Sequence, residues 1–224
     1  MIKIENVDVH GWEAAIRGMR NPMNSWEKSD SFPCDKYYDY NKGYCPECPV
    51  ACKCDAIDNF RVGINDLKLM RNLAKAGPDH RKFLRMINVT CDITAPLYWW
   101  KEFDTYKVGT VTNSCSTMHK IHAKEFTLDD FSHEHLTDGG NYILNGTIDM
   151  LNDYRTQYLK TKDKEYWWQM IQFLPTSYNQ KRTVQLNYQV LKNIYHARKE
   201  HKLDEWRYFC EWIETLPHSE LITD

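Results

Sequence analysis

The sequence predicts an α+β domain in which strands near the start are followed by a mostly helical second half. Three observations predict it. The opening residues, MIKIENVDV, alternate apolar and polar side chains as a half-buried strand does. Residues 83–96, FLRMINVTCDITAP, are rich in β-branched side chains and end at a proline. From about residue 137 onward the pattern is mostly helical.

The elements before residue 60 are a strand, a helix and an irregular segment. GWEAAIRGM follows the first strand and predicts a short helix. Residues 21–60 are rich in Pro, Asn, Asp, Tyr and Cys and show no sustained period, so a long loop or an inserted module is expected there. We expect one domain over 1–224 that carries this Cys-rich insertion, because 224 residues are enough for one sizeable core.

The middle of the chain predicts two helices, a strand and a polar loop. INDLKLMRNLAKAG predicts a helix with one apolar face that ends at Gly77 and Pro78. After the strand at 83–96, LYWWKEF predicts a short aromatic helix. Residues 104–120, DTYKVGTVTNSCSTMHK, are small, polar and glycine-containing, which is the composition of a loop that wraps a ligand.

The second half predicts four helices, at about 137–161, 163–173, 179–200 and 203–216. The third includes TVQLNYQVLKNIYHAR, residues 183–198, whose amides are poor helix formers. At about 100° per residue, Asn187 and Arg198 share one stripe with apolar residues. Gln189 and Asn193 lie nearly opposite. Such a helix is either packed on all sides with satisfied amides or lines a pocket.

Composition and charge exclude several classes of protein. Charged residues make up 27% of the chain, hydrophobic residues 42%, and the formal net charge is −2, which is an ordinary globular composition. No clustering of Lys and Arg predicts a nucleic-acid polymer as partner. The longest apolar runs, such as APLYWW, are too short to span a membrane, and the start lacks the apolar core of a signal peptide. The sequence therefore predicts a cytoplasmic protein without a membrane partner.

Five cysteines are concentrated in the irregular segment. A reducing compartment disfavours disulfides and leaves metal binding or free thiols. A Cys-x-x-Cys turn commonly supplies two of the four ligands of zinc, and the tighter Cys-x-Cys spacing is less usual for the second pair. The candidate zinc ligands are Cys45, Cys48, Cys52 and Cys54, with Cys34 as an alternative to one of them. A [4Fe-4S] cluster and a set of free thiols are the alternatives.

The order of elements and one spaced motif resemble the flavin-dependent thymidylate synthases. That family has a Leu-Pro followed by a late helix with the pattern N-x-R-x-x-x-N-x-x-x-x-R. FLPTSYNQKRTVQLNYQVLKNIYHAR matches it at Asn187, Asn193 and Arg198, and Gln189 replaces the first Arg. The resemblance implies that the three amide residues bind FAD. It also implies that Arg198 contacts the pyrimidine of the substrate and takes part in catalysis.

The family's signature loop, R-H-R-x-x-S-x-N-x-x-S-x-R, matches less closely. Counted from the Ala-Pro at 95–96, its first residues and first Ser correspond to Thr105, Tyr106, Lys107 and Thr110. Arginines hold phosphates by bidentate, charge-assisted hydrogen bonds that Thr and Tyr cannot make. Of the three positions Arg-His-Arg, only the last keeps a positive charge, as Lys107. The resemblance implies cofactor contacts at Thr105, Lys107 and Thr110. It implies a place in the catalytic site for Tyr106, which either stacks on a ring or donates its hydroxyl.

The other loop positions are implied substrate contacts. Glu102 stands where the family has the Gln of its Arg-Gln-Trp. Without a gap, the second Ser and last Arg of the loop correspond to Cys115 and Thr117. A one-residue shift instead brings Asn113 and Ser116 into register. Both registers stay open, so all five residues are candidates.

The resemblance implies an enzyme that transfers a one-carbon unit to C5 of a pyrimidine deoxynucleotide, either dUMP to dTMP or a related hydroxymethylation. It further implies FAD as cofactor, reduced nicotinamide and methylenetetrahydrofolate as co-substrates, a central mostly antiparallel sheet with long helices, and pockets between the subunits of a homotetramer. The altered loop leaves two other hypotheses. One is a nucleotide- or flavin-binding relative with reduced catalysis, and the other is a zinc-stabilised interaction protein that shares only the fold.

Overall fold

The strands of the protein, in chain order, are β1 (Lys3–His10), β2 (Phe32–Pro33), β3 (Phe60–Arg61), β4 (Asn88–Pro96), β5 (Val111–Ser114) and β6 (Asn179–Asn187). One sheet contains four of them in the order β1, β4, β6, β5. β2 and β3 form a separate antiparallel pair in which Phe32 lies opposite Arg61. This computed structural model describes residues 2–33 and 60–224.

The helices are α1 (Trp12–Arg20), α2 (Ile64–Lys75), α3 (Leu97–Phe103), α4 (Asp138–Thr161), α5 (Lys164–Phe173), α6 (Tyr188–Arg198), α7 (Asp204–Glu214) and α8 (Glu220–Thr223). Short 3₁₀ turns lie at Asn21–Met23, Trp26–Lys28, Lys82–Arg85 and Leu128–Asp130. The combination of strands and helices confirms the α+β prediction. The helices predicted before residue 174 are confirmed to within a few residues, whereas α8 was not predicted.

The described residues belong to two compact units. Unit 1 comprises Met1–Asn6, Cys91–Lys107 and Val111–Val184. Unit 2 comprises Val7–Thr90, Val108–Thr110 and Gln185–Asp224. The prediction of one domain over 1–224 stays a prediction, as does the insertion, because residues 34–59 lie outside the described ranges.

Apolar side chains around α4 and α5 form a core within unit 1. Its buried members are Ile121, Phe126, Phe131, Leu144, Ile148, Leu151 and Met170. α4 follows Thr137, whose hydroxyl accepts a hydrogen bond from the Gly140 N–H at 3.3 Å. α5 follows Asp163, whose carboxylate accepts one from the Glu165 N–H at 2.9 Å. Such capping residues satisfy N–H groups that have no partner within the helix, and so fix where both helices begin.

The aromatic helix α3 is also buried in unit 1. Trp99, Trp100 and Phe103 are each at most 1% exposed. The rings of Trp99 and Phe103 stack with their centroids 5.0 Å apart, and those of Trp99 and Trp100 meet edge to face at 4.9 Å. This packing places both tryptophans of LYWWKEF in the core of unit 1. It also gives the polar segment after α3 a rigid starting point.

The helix α6 is buried along one side within unit 2. Its fully buried residues are Tyr188, Leu191 and Ile194. The Tyr188 hydroxyl donates to the Pro217 carbonyl at 2.5 Å. The buried Lys192 amino group donates to the carbonyls of Ile222 and Asp224, at 3.1 and 2.6 Å. A cation at carbonyls near a helix C-terminus satisfies acceptors that have no partner within the helix, so Lys192 anchors α8.

The prediction of a single helix over 179–200 is wrong, because its first half is the strand β6. Within β6, Val184 and Leu186 are buried while Thr183 and Gln185 are exposed, which is the period of two that a strand requires. Asn187 ends the strand, and its side chain caps α6 by accepting the Val190 N–H at 3.1 Å. The motif helix therefore begins at Tyr188, and Asn187 precedes it.

The segment 104–120 is also more ordered than the predicted loop. Its residues Val111–Ser114 form β5, an edge strand beside β6. All four are exposed, so no apolar alternation marked this strand in the sequence.

Candidate functional site

Asn187 and Gly109 form a close contact at the junction of β6 and α6, within unit 2. Asn187 is buried, and its amide nitrogen Nδ2 faces Gly109. A Cβ on Gly109 would stand 2.9 Å from that nitrogen and 3.3 Å from Cγ2 of Val190. Gly109 also has a φ of +79°, in the region that side chains disfavour. The polar segment therefore approaches the start of α6 in a way that requires glycine.

The hydroxyl of Thr110 lies next in the chain. Its Oγ1 is buried and has no hydrogen-bond partner among the described residues. Buried polar atoms in native proteins almost always have a partner, so such an atom is a candidate for contact with a ligand or an ordered water. Thr110 is one of the predicted cofactor contacts, and a hydroxyl can both donate and accept.

The amides of Gln189 and Asn193 lie one turn apart on α6. Gln189 Nε2 donates to Asn193 Oδ1 at 2.9 Å. Asn193 is exposed and Gln189 partly exposed, so neither is a core amide. This pair leaves the Asn193 side-chain nitrogen and the Gln189 side-chain oxygen as polar groups on the accessible side of α6.

Arg198 lies at the C-terminal end of α6 with its guanidinium carbon 4.8 Å from the ring centroid of Trp206. Trp206, on α7, is fully buried, and a cation over a tryptophan face is attracted by the ring electrons. Burial, together with nearby Glu214, raises the pKa of the adjacent Cys210 thiol to about 12, although Arg198 acts in the opposite direction. That thiol therefore stays neutral beside the Arg198 guanidinium.

The residues after α3, in unit 1, form a tight turn. The Thr105 hydroxyl and N–H both donate to the Glu102 carbonyl, at 2.7 and 3.1 Å. The Tyr106 N–H donates to the Phe103 carbonyl at 3.0 Å. Lys107 is exposed. Thr105 thus uses its hydroxyl proton within the turn, and its hydroxyl oxygen is left to accept.

The candidates around β5 differ in how their side chains are used. Asn113 and Cys115 are exposed, and Thr117 is partly buried. The Ser116 hydroxyl accepts the N–H groups of Met118 and His119, at 3.2 and 2.8 Å, so it holds a turn. The thiol of Cys115 is exposed while its backbone is fixed: its N–H donates to the Lys181 carbonyl at 2.9 Å.

The structure thus brings together some of the predicted residues in each unit. In unit 2, Asn187 lies against Gly109, next to Thr110, and Gln189 bonds Asn193. In unit 1, Glu102 and Thr105 share a turn. Gly109 and Trp206 were missed by the sequence analysis. For Gly109, the signal in the sequence was that it is the single glycine of residues 104–120. For Trp206 there was no such signal, because its contact with Arg198 depends on the turn between two helices.

Neither a metal site nor a membrane-spanning helix occurs among the described residues. No group of three or more His, Cys, Asp or Glu side chains suited to a metal ion occurs within 2–33 and 60–224. The candidate zinc ligands Cys34, Cys45, Cys48, Cys52 and Cys54 lie outside these ranges. Within the same ranges, no helix has the length and apolar character needed to cross a bilayer.

Comparison with solved structures identifies the fold. A structure of the flavin-dependent thymidylate synthase ThyX from Helicobacter pylori, complexed with FAD and dUMP, matches with a TM-score of 0.66 and 14% identity, covering 98% of this chain and 97% of that chain. A second ThyX structure from Helicobacter pylori, with FAD and dUMP, matches with a TM-score of 0.65 and 13% identity, covering 100% and 97%. The chain has a ThyX-like fold. The sequence matches no protein-family model and no curated protein.

The ThyX-like fold confirms the fold that the resemblance implied from the late helix. At 13–14% identity the similarity concerns the fold, and activity has to be argued from the residues of the site.

Proposed function

We propose that this protein is a flavin-dependent enzyme that transfers a one-carbon unit to C5 of a pyrimidine deoxynucleotide, with dUMP as the first substrate to test. The observation that carries the proposal is the similarity of nearly the whole chain to ThyX structures complexed with FAD and dUMP. The site residues add chemical support, because the α6 motif keeps amides and a guanidinium at the spacing of the flavin-dependent thymidylate synthases.

The residues at the start of α6 suit the polar edge of a flavin. Flavin rings present both carbonyl acceptors and N–H donors, and amide or hydroxyl side chains can serve either kind of atom. Asn187, Gln189 and Asn193 supply amides, and Thr110 supplies a buried hydroxyl without a partner among the described residues. When bound and reduced, FAD would supply the hydride. The part of these residues would be to hold the ring and to exclude water.

Arg198 is the proposed contact to the pyrimidine. A guanidinium donates several hydrogen bonds in one plane, which suits the carbonyl and ring nitrogen of uracil, and its charge stabilises negative charge that develops on the ring during attack. The buried Trp206 ring beneath it would fix the plane of the guanidinium. Tyr106 is proposed to stack on a ring or to donate its hydroxyl in the same reaction.

The phosphates would be held differently from the family pattern. Among the predicted cofactor contacts of the altered loop, Lys107 is the cation, and a point charge makes fewer directed contacts than an arginine. We propose Thr105 as a further cofactor contact, with Glu102, Asn113, Cys115, Ser116 and Thr117 as substrate contacts. Reduced nicotinamide and methylenetetrahydrofolate are the proposed co-substrates, and a homotetramer is the proposed assembly.

The same loop supports a second candidate function. With Thr105 and Tyr106 in place of charged residues, a protein that binds FAD or a pyrimidine nucleotide without turnover is consistent with the site. This candidate differs from the first in one measurable property, which is product formation.

The test combines binding with turnover. The visible spectrum of the purified protein is recorded with FAD, then with FAD and dUMP, and product is assayed after reduced nicotinamide and methylenetetrahydrofolate are added. If the flavin spectrum shifts on addition of dUMP and dTMP is formed, the result supports the enzyme. If the spectrum shifts but no product forms, the result supports the binding protein. A folded sample that binds neither ligand contradicts both.

Variants link the result to the proposed residues. Asn193→Ala is expected to weaken FAD binding and Arg198→Ala to weaken dUMP binding, each by at least about tenfold, the effect of losing a hydrogen bond to a charged or buried group. Arg17→Ala is the control, because Arg17 lies exposed on α1 and pairs with Glu13. If both site variants bind as well as the control does, the assignment of α6 is wrong.

A further inference from the structure

Two neighbouring side chains on β6 contact both ends of the polar segment 105–114, and all four residues involved belong to unit 1. Arg182 Nη1 lies 2.7 Å from Oδ1 of Asp104, the residue just before the segment. Arg182 Nε donates to Gln180 Oε1 at 3.0 Å. Gln180 Nε2 donates to the carbonyl of Cys115, just after the segment, at 2.6 Å. The chain Asp104, Arg182, Gln180, Cys115 therefore joins one end to the other.

The aromatic helix α3 holds this connection in place. The Arg182 guanidinium carbon lies 4.2 Å from the ring centroid of Trp100, which is fully buried. The indole N–H of Trp100 donates to the Gln180 carbonyl at 2.9 Å. The guanidinium thus lies over the Trp100 ring while its N–H groups donate to Asp104 and Gln180. Lysine has neither the planar face nor the fork of donors that this arrangement uses.

We propose that Arg182 is a positioning residue that fixes both ends of the polar segment and so prearranges the segment for its ligands. The proposal rests on the proposed function, because the assigned contacts Thr105, Lys107, Thr110, Asn113 and Cys115 lie at or between those ends. Holding both ends of a connecting segment reduces its conformational freedom before binding, and binding then requires less ordering. Arg182 itself contacts no ligand in this scheme.

No sequence pattern marks Arg182 as a functional residue. Its partner Asp104 lies 78 positions away in the sequence, and no local pattern links them. Because the loop has Thr105 and Tyr106 where the family has Arg and His, it has lost contacts that would otherwise order it around a phosphate. The contacts of Arg182 and Gln180 at both ends add to the order that the pairing of β5 with β6 provides.

The first experiment uses the ligand-free protein and measures hydrogen exchange of peptides by mass spectrometry. Arg182→Gln is expected to speed exchange in peptides covering 105–117 by about tenfold, which is the usual effect of a lost charge-assisted hydrogen bond, while peptides from α4 and α5 stay unchanged. Arg182→Lys is expected to resemble Arg182→Gln, because lysine lacks the planar fork of donors that reaches Asp104 and Gln180. Arg17→Gln, at an exposed pair on α1, is the control and is expected to change neither region.

A double-mutant cycle tests the partner. Asp104→Asn is expected to speed exchange at residues 105–107, and the Asp104→Asn, Arg182→Gln double variant to be no faster there than Arg182→Gln alone. Unchanged exchange over 105–117 in Arg182→Gln would overturn the proposal. Faster exchange spread equally over α4 and α5 would overturn it as well, since that is general destabilisation. If exchange over 105–117 in Arg182→Lys is as slow as in wild type, the role proposed for the planar guanidinium is wrong.

A second experiment separates this proposal from the proposed function. FAD and then dUMP are titrated into wild type and Arg182→Gln, with the flavin spectrum as readout. A rise of about tenfold in Kd for either ligand, equal to the exchange effect, is expected if ordering the segment limits binding. If wild type binds neither ligand, the proposed function fails. The exchange data still test whether Arg182 fixes both ends of the polar segment. If exchange increases locally but both Kd values are unchanged, the proposed link to ligand binding is wrong.

Discussion

The carboxylate of Asp66 and the guanidinium of Arg20 form a buried ion pair, with Asp66 Oδ1 2.6 Å from both Nε and Nη2 of Arg20. The other carboxylate oxygen accepts the hydroxyls of Ser29 and Ser31, each at 2.6 Å. The pair joins α1 to α2, and the two serines attach the chain just before β2 to the same carboxylate. One side chain in unit 2 thus fixes three separate parts of the chain.

We expect Asp66→Asn to destabilise the protein by about 3–5 kcal/mol, the usual cost of leaving a buried charge without its partner. The Arg20 side chain, only 6% exposed, would keep its charge with no carboxylate beside it. Urea unfolding followed by tryptophan fluorescence measures the change. Glu13→Gln, at the exposed pair with Arg17, is the control and is expected to cost less than about 0.5 kcal/mol. Equal losses of stability in the two variants would contradict the role of Asp66 in fixing three parts of the chain.

The same carboxylate predicts a pH dependence of stability. Burial acts to raise the pKa of Asp66, but hydrogen bonds from Ser29 and Ser31 and the Arg20 charge outweigh it, and the pKa is lowered. The stabilisation is therefore fully present above the unfolded pKa of about 3.9 and is lost as the pH falls toward the lower folded value. The free energy of unfolding of wild type minus that of Asp66→Asn should shrink between pH 5 and pH 2. A difference that stays constant over this range would contradict the assignment.

Much of the fold could be predicted because most elements carry one clear period. β1 and α1 follow from alternation and from helical spacing, and α4 and α5 from long helical patterns. The junction of β6 and α6 could not, because TVQLN alternates as a strand while its spacing also continues the helical stripe of the next eleven residues. The capping role of Asn187 separates the strand from the helix, since Asn favours a helix N-terminus over its interior.

The candidate site also contains residues that the sequence could indicate and residues that it could not. Residues on α6 keep a fixed geometry once the helix is placed, so the spacing of Asn193 and Arg198 could be compared with the family pattern. Residues within 104–120 could not be interpreted from spacing, because turns and distant partners decide what each side chain can do. Ser116 is used by two backbone N–H groups, and Arg182 reaches Asp104 across 78 positions. Contacts of that kind leave no local pattern.

Metal content tests the cysteine prediction, which stays a prediction. We expect about one zinc per chain, because four thiolates complete the coordination that zinc prefers. Cys45→Ser with Cys48→Ser should remove it, and elemental analysis of the purified protein measures the loss. Cys210→Ser is the control, since Cys210 is buried in α7 and its thiol stays neutral. Wild-type protein without metal, purified under reducing conditions, would favour free thiols.

The proposed pyrimidine contact predicts a selective loss. Arg198→Lys keeps the charge but loses the planar fork of donors and the guanidinium that lies over the Trp206 ring. We expect dUMP affinity to fall by at least about tenfold, as for a lost hydrogen bond to a charged group, while FAD affinity changes little. Arg207→Lys, at an exposed pair with Asp204 on α7, is the control. A parallel loss of both ligands would indicate damage to α6 and would contradict a specific contact.

The contact between Gly109 and Asn187 gives the most direct test of the site. In Gly109→Ala, a methyl group would lie 2.9 Å from Asn187 Nδ2 on a residue with φ of +79°. We expect this variant to lose about 1–2 kcal/mol of stability from the left-handed backbone, and to weaken FAD binding because the amide must move.

Gly77→Ala separates these two effects. Gly77 also has a positive φ, of +108°, but a Cβ there would meet nothing within 4 Å. It should therefore show the backbone cost without a change in FAD affinity. Thermal unfolding and FAD titration of both variants measure the difference. If Gly77→Ala weakens FAD as much as Gly109→Ala does, the effect arises from general destabilisation and the crowding of Asn187 is not its cause.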